Sequence, residues 1–194
     1  EPGGIGASWT WATFEPPVDE TVVFTVSDNP STTGINSSTK VGKVDISFAT
    51  SSIWGSAGVE STHGTDIGSF TITESNSFVT MQVYQEGFTA PVALKLANAA
   101  GGALDEVTSL FPITTTGVWQ EVSFDLSAWI GNVNNPVDQI IFFPSYGARA
   151  SGHVVYFDNV TFSALPAPTC FDGIQNNGET GIDCGGPCAA VCPP

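Results

Sequence analysis

The chain is short of positive charge. Lys40, Lys43, Lys95 and Arg149 are its only Lys and Arg residues, against 19 Asp and Glu, and the net charge is −15 over 194 residues. Four cations cannot line a phosphate backbone, so nucleic acid is excluded as a partner. The same shortage disfavours sulfated and uronate polysaccharides, which are polyanions. No apolar run approaches the roughly 18 residues of a membrane-spanning helix, so direct membrane insertion is not expected. The opening residues, EPGGIGASW, lack the basic start and apolar stretch of an export signal, so a signal is expected to have been removed or to lie upstream. Helix formers such as Lys, Arg, Met and Gln are scarce. Cysteine is missing from the first 169 residues.

All four cysteines, Cys170, Cys184, Cys188 and Cys192, fall in the last 25 residues. There is no Cys-x-x-Cys pair, and His63 and His153 lie outside this tail, so the spacing does not suit zinc. A disulfide-linked segment is expected instead. Two bridges have three possible connectivities, and spacing does not choose among them. A tail this poor in apolar residues cannot build a core, so cross-links replace one. Disulfides point to an oxidising compartment, hence to a secreted or outer-membrane-surface location. Asp172, Asn176, Asn177, Glu179 and Asp183 between the cysteines are either hard oxygen ligands for calcium or plain turn formers.

What the rest of the chain does have is β-forming material: 13 Phe, 5 Trp, many Val and Ile, and abundant Gly, Ser and Thr. Period-2 alternation marks strands at residues 8–14, 21–26, 41–49, 69–73, 78–85, 91–97, 118–127, 138–145 and 153–162, separated by Gly, Asn, Pro and Ser clusters. The expected fold is all-β, an antiparallel two-sheet β-sandwich of jelly-roll type, with a small disulfide-rich C-terminal appendix. The sandwich is expected over residues 1–163, a Pro/Ala linker over 164–169 and the cysteine-rich segment over 170–194. Alternation assigns Val79, Met81, Val83, Val92, Leu94, Leu96, Val44, Ile46 and Phe48 to the core. It leaves Thr80, Gln82, Tyr84, Lys95, Lys43 and Asp45 on a polar face. The stretch AAGGALDEVTSL reads as loop.

Three stretches carry a resemblance: DNPSTTGINSSTKVGKV, GVWQEVSFDLS and the terminal VVYFDNVTF. Together they resemble the jelly-roll carbohydrate-binding modules of the galactose-binding-like type related to families 4 and 9. They are similar in particular to glycan-binding modules of Bacteroidetes surface proteins. The likeness covers residues 8–163. The cysteine tail separately resembles a short segment found between modules of secreted and surface proteins of that phylum, which implies one monomeric module of a larger chain. The resemblance implies a structural calcium, with Glu15 and Asp158 at the matching acidic positions and Asn36 or Ser38 as further oxygen ligands. It also marks Trp119 as a structural tryptophan.

A pyranose stacks its C–H face on an aromatic ring and gives its hydroxyls to polar side chains. Trp54, in the Ser/Gly-rich SSIWGSAG loop, is the leading platform. Tyr84 and Gln82 on the polar face, Phe88 in the next loop, Lys95, and Tyr146 and Arg149 in SYGARASG complete the candidate set. Trp9, Trp11 and Trp129 read as packing. No GxSxG, HExxH or P-loop motif is present, and no carboxylate pair stands out as catalytic. The expected function is non-catalytic binding of a neutral polysaccharide, with a β-1,3-glucan of laminarin type preferred by analogy. The rivals are a calcium-stiffened adhesion or spacer domain and a small glycoside hydrolase.

Overall fold

The computed structural model describes residues 9–14, 21–51, 57–164, 180–182, 184 and 192. In chain order the strands are β1 (Trp11–Phe14), β2 (Val22–Asp28), β3 (Lys40–Ile46), β4 (Gly58–Ser61), β5 (Phe78–Gln85), β6 (Ala93–Ala97), β7 (Val107–Thr108), β8 (Trp119–Asp125), β9 (Gln139–Phe143) and β10 (His153–Ser163). They form two five-stranded antiparallel sheets. Sheet I runs β1-β4-β9-β6-β7 and sheet II runs β2-β3-β10-β5-β8. The chain crosses repeatedly between the sheets, as a jelly roll requires. Among the described residues the only helical element is a 3-10 turn at Ser127–Trp129.

The period of 2 places the core as the alternation predicts. Val44, Ile46, Val79, Met81, Val83, Leu94, Leu96 and Val155 are each at most 1 % exposed and meet between the sheets. Phe124, Ile140 and Phe142 join them from β8 and β9. Trp129 also packs into this core, while Trp9 and Trp11 are half-buried against it.

Two expectations about strands need correction. SFTIT is not a strand; Phe70 alone bridges to Val137. Its alternation is broken by the turn that follows, where the Asn76 Oδ1 accepts from Thr73 N and Oγ1. Conversely, β4 and β7 were not expected. A four-residue GVES and a two-residue VT are too short for alternation to register.

The last strand explains a break in its own pattern. Val155 and Phe157 point inward, and so do Val160 and Phe162, which no single parity allows. A β-bulge between Asp158 and Thr161 resolves it: Asp158 faces Gln82 while Thr161 faces Thr80, one residue extra on β10. Asn159 sits in the bulge at φ 53° and gives its Nδ2 to the Gln82 Oε1 at 2.8 Å. Asparagine tolerates this left-handed backbone better than most residues.

In the tail, Cys184 and Cys192 form a disulfide. Of the three connectivities, the one containing this bond pairs Cys170 with Cys188, both outside the described residues. Gly181 abuts the bridge, where a Cβ would lie 2.8 Å from both sulfurs.

The bulge yields a prediction. Asn159→Ala should destabilise the sandwich by about 1–2 kcal/mol, combining left-handed strain with a lost hydrogen bond. Asn159→Gly should cost less, because it removes only the hydrogen bond and some backbone restriction. Equal midpoints for the two variants in urea unfolding would contradict the strain component.

Candidate functional site

The sandwich has two outer faces, and they are built differently. Across sheet II the pairing register lines up Thr25, Lys43, Tyr156, Tyr84 and Trp119. The segment 29–39 lies over this face as a strap. The Asn36 side chain is fully buried and donates from Nδ2 to the Asp158 Oδ2 at 3.0 Å. Its Oδ1 accepts from Ser38 N at 2.9 Å and from the Asn29 Nδ2 at 3.1 Å. Trp119 donates from Nε1 to both the Asn29 Oδ1 and the Ser31 carbonyl at 2.9 Å. Gln82 donates to the Ile35 carbonyl at 3.2 Å. Trp119 is therefore structural, as its motif implied.

Sheet I carries no such strap among the described residues. Its outer face holds two transverse rows. One joins the pair Phe14–Gly58 to the run Phe143, Ala93 and Thr108 through the Phe14–Phe143 ring contact; the other runs Ala12, Glu60, Ile141 and Lys95, with Glu106 bonded to Lys95. Gly58 and Ala93, the small residues of the first row, are both buried. At Gly58 a Cβ would clash with the Phe142 carbonyl oxygen and lie 2.8 Å from the Phe14 ring, so both the neighbouring backbone and Phe14 require glycine there. Phe14 and Phe143 meet edge to face at 5.3 Å, and Phe143 meets Tyr146 the same way at 5.6 Å. Phe143 is almost covered, while Phe14 and Tyr146 keep part of their surface open. The result is an aromatic row beside a charged pair on an otherwise flat β-surface, which can stack a ring and hydrogen-bond hydroxyls.

The charged pair is local in origin. Lys95 Nζ donates to the Glu106 Oε1 at 2.8 Å, both side chains being about a quarter exposed. Burial raises the Glu106 pKa, but the Lys95 hydrogen bond, its own backbone N–H and the Lys95 charge outweigh that, and the net effect is a lowered value. Burial and the Glu106 charge push the Tyr146 phenol up, partly offset by Lys95.

The predicted site residues do not form one site. Lys95 and Tyr146 lie on the outer side of sheet I, whereas Tyr84 and Gln82 lie on the opposite face of the molecule. Gln82 is committed at both ends of its amide, to Ile35 and Asn159. Phe88 stacks on His153 at 3.5 Å as packing at the end of the sandwich. Arg149 is 6 % exposed; it donates from Nε to the Phe48 carbonyl at 2.9 Å and its guanidinium lies 4.4 Å over the Phe48 ring. Its Nη2 has no partner among the described residues. Burial lowers the Arg149 pKa, and burial followed by the Arg149 charge lowers that of His153. Trp54 lies outside the described residues. The segment containing it leaves the described structure beside the Thr50–Arg149 bridge and re-enters at Ala57, next to Gly58. Phe14, Phe143, Ile141, Glu60 and Glu106 were missed. IIFF, residues 140–143, is an unbroken apolar run, so alternation could not show that Ile141 and Phe143 face outward.

For the implied calcium, the structure brings Asp158 and Asn36 together and sets Ser38 beside them. Glu15 lies outside the described residues. Asp158 fits a cation: its carboxylate is 7 % exposed, and the partner it has among the described residues is a neutral amide. The Asn36 side chain departs from the expected ligand role, because it turns N–H rather than oxygen toward the carboxylate. Among the described residues no three His, Cys, Asp or Glu side chains cluster as a metal site.

A pH prediction follows from the lowered Glu106. Its stabilising contribution is present above its unfolded pKa and is lost as pH falls through the lower folded value. Lys95→Met removes the groups that hold that value down, so the acid-unfolding midpoint should move to higher pH. Acid titration of both proteins followed by near-ultraviolet circular dichroism checks this; coincident curves would contradict it.

No family model matches the chain, and no curated protein matches it. Solved structures do. A carbohydrate-binding module of the β-sandwich superfamily, described as promiscuous in specificity, aligns at a TM-score of 0.51 and 11 % identity. The alignment takes in 84 % of this chain but only 59 % of that one, so this chain spans less than two thirds of its length. A family 11 module from Clostridium thermocellum, solved with a β-1,3-1,4-mixed-linked tetrasaccharide, aligns at 0.49 and 11 % identity over 82 % of this chain and 90 % of that one. A family 4 module aligns at 0.43 and 17 % identity over 80 % and 86 %. At these identities the likeness shows the fold alone: this chain is a β-sandwich of the kind that carbohydrate-binding modules share.

Proposed function

We propose that the chain is a non-catalytic carbohydrate-binding module that takes a neutral polysaccharide on the outer face of sheet I. The observation that carries this reading is the row Phe14–Phe143–Tyr146 beside the Lys95–Glu106 pair on the outer side of sheet I. Tyr146 is the stacking platform, with Phe14 as the second ring and Phe143 as their support. Lys95, Glu106 and Glu60 take hydroxyls. Trp54 lies outside the described residues and stays a candidate platform on its sequence context alone. All four cations have internal partners: Lys40 with Asp28, Lys43 with Asp45, Lys95 with Glu106, and Arg149 with Phe48. That supports a neutral ligand over a polyanion.

A β-1,3-glucan of laminarin type remains the first choice of ligand, with mixed-linkage β-glucan beside it. The module works in an extracellular setting, secreted or on an outer-membrane surface, which the Cys184–Cys192 bond supports. With few stacked rings and exposed hydrogen bonds, affinity falls in the micromolar to millimolar range, on the order of −8 to −4 kcal/mol. Affinity electrophoresis against laminarin, mixed-linkage glucan, xylan, mannan and alginate tests this. Tyr146→Ala should weaken binding about tenfold, equivalent to ~1.4 kcal/mol. Unchanged retardation of Tyr146→Ala would move the site elsewhere, preference for alginate would reverse the charge reading, and release of reducing ends would make the protein an enzyme.

A structural calcium held by Asp158 and Glu15, with a further oxygen from Ser38 of the strap, completes the proposal. When bound, the ion supplies the counter-charge for the buried carboxylate. A ligand that binds only the folded state raises Tm by mass action. Calcium should therefore raise Tm in the wild type and leave Asp158→Asn unmoved. A wild-type melting curve indifferent to both calcium and chelator would remove the metal from this account.

A further inference from the structure

At the end of the sandwich where β1 begins and β10 ends, a cleft of about 340 Å³ opens between the sheets. Trp9, Ile67, Phe70 and Phe162 wall it, and Asp66 and Asn76 stand among them. All six are partly exposed. Its volume lies at the lower end of the ~300–1,000 Å³ typical of small-ligand sites.

The walls are set by neighbours. Trp9 lies 5.4 Å from Trp11, and Phe70 meets Phe162 edge to face at 5.2 Å. Asp66 holds the entry to β1: its Oδ1 accepts from Thr10 N at 3.1 Å and from Thr10 Oγ1 at 3.2 Å, and its Oδ2 accepts from Thr62 N at 2.7 Å. A carboxylate oxygen can accept two bonds, so Oδ2 keeps capacity for one more. Asn76 donates one amide hydrogen to the Thr71 carbonyl at 3.1 Å, and its second has no partner among the described residues. The cleft thus combines aromatic walls with one donor and one acceptor. That complement suits a pyranose, whose C–H face is apolar and whose rim carries hydroxyls able to serve both. It suits apolar side chains poorly, because they would leave the spare Asn76 hydrogen and the spare Asp66 acceptor position unmatched.

We propose that this cleft is a second carbohydrate-binding site, taking a single pyranose at a chain end. It rests on the reading of the chain as a carbohydrate-binding module. It is separate from the sheet I face: Trp9 precedes β1 and Phe14 ends it five residues on, a span of at most roughly 17 Å at ~3.4 Å per residue. The two sites therefore hold either different chains or distant parts of one chain, which strengthens retention on a polysaccharide without any new contact.

The test titrates the whole chain with laminaritriose, and with cellotriose in parallel. Calorimetry reads stoichiometry, and the Trp9 indole N–H resonance reads the cleft directly. The proposal expects that resonance to shift on titration and to keep shifting in Tyr146→Ala. It expects the calorimetric stoichiometry to halve in Trp9→Ala and in Ile67→Glu, the latter placed on a partly exposed wall so that a folding defect in the former does not decide the matter. A single binding event, abolished by Tyr146→Ala with the Trp9 resonance unmoved, overturns the cleft and leaves the module reading intact. No response to either sugar at Trp9, together with no retardation by any polysaccharide, overturns both.

Discussion

One buried hydrogen bond, from the Asn36 amide to the Asp158 carboxylate, organises the outer surface of the molecule. Asp158 stands where β10 bulges, and Asn36 stands in the middle of the strap, 122 residues away in sequence. Their contact pulls the strap down on sheet II, and Asn29 and Ser31 then fasten it to the Trp119 indole on the edge strand. One broad face is thereby partly covered. On the other, Phe143 and Ala93 are buried while Phe14 and Tyr146 keep part of their surface open, and the aromatic row falls there. A buried carboxylate facing a neutral amide is an incomplete electrostatic arrangement.

The core was legible because its signal is redundant. Val79, Met81 and Val83, or Leu94 and Leu96, repeat one parity over enough positions for a single reading to survive. The bulge was legible in hindsight, since Val155, Phe157, Val160 and Phe162 cannot share a face without one. β4 and β7 were not, because two to four residues carry no period. The candidate face was only half legible. Lys95 and Tyr146 were found, but Tyr84 was assigned with them because alternation says which residues point outward and not on which side of a sandwich they do so. Sheet membership depends on pairings such as Tyr84 with Tyr156 and Lys95 with Ile141. Those join distant parts of the chain and leave no local trace. Arg149 was misjudged for a different reason. A glycine-rich neighbourhood reads as an exposed loop, while the Phe48 ring and the Thr50 bridge bury it.

Charge is arranged economically. The acidic excess lies on a sandwich whose few cations are each spent internally, so the molecular surface presents mostly carboxylates, hydroxyls and amides. Such a surface repels polyanions at long range without any dedicated device. It leaves short-range stacking and hydrogen bonding to discriminate among neutral ligands, for which shape matters more than field.

The placement of the first and last strands has a mechanical consequence. The chain enters the sandwich at Trp9 and leaves it after Ser163, beside the same cleft. β1 is an edge strand held to β4 by four residue pairs, Trp11–Ser61 to Phe14–Gly58. Tension drawn through these two points would load β1 from one end, so its pairs would part in succession instead of sharing the force. The Trp9–Trp11 corner would yield first, while β10, paired on both sides in the middle of sheet II, held. Under flow or traction the domain would surrender its first strand before its core.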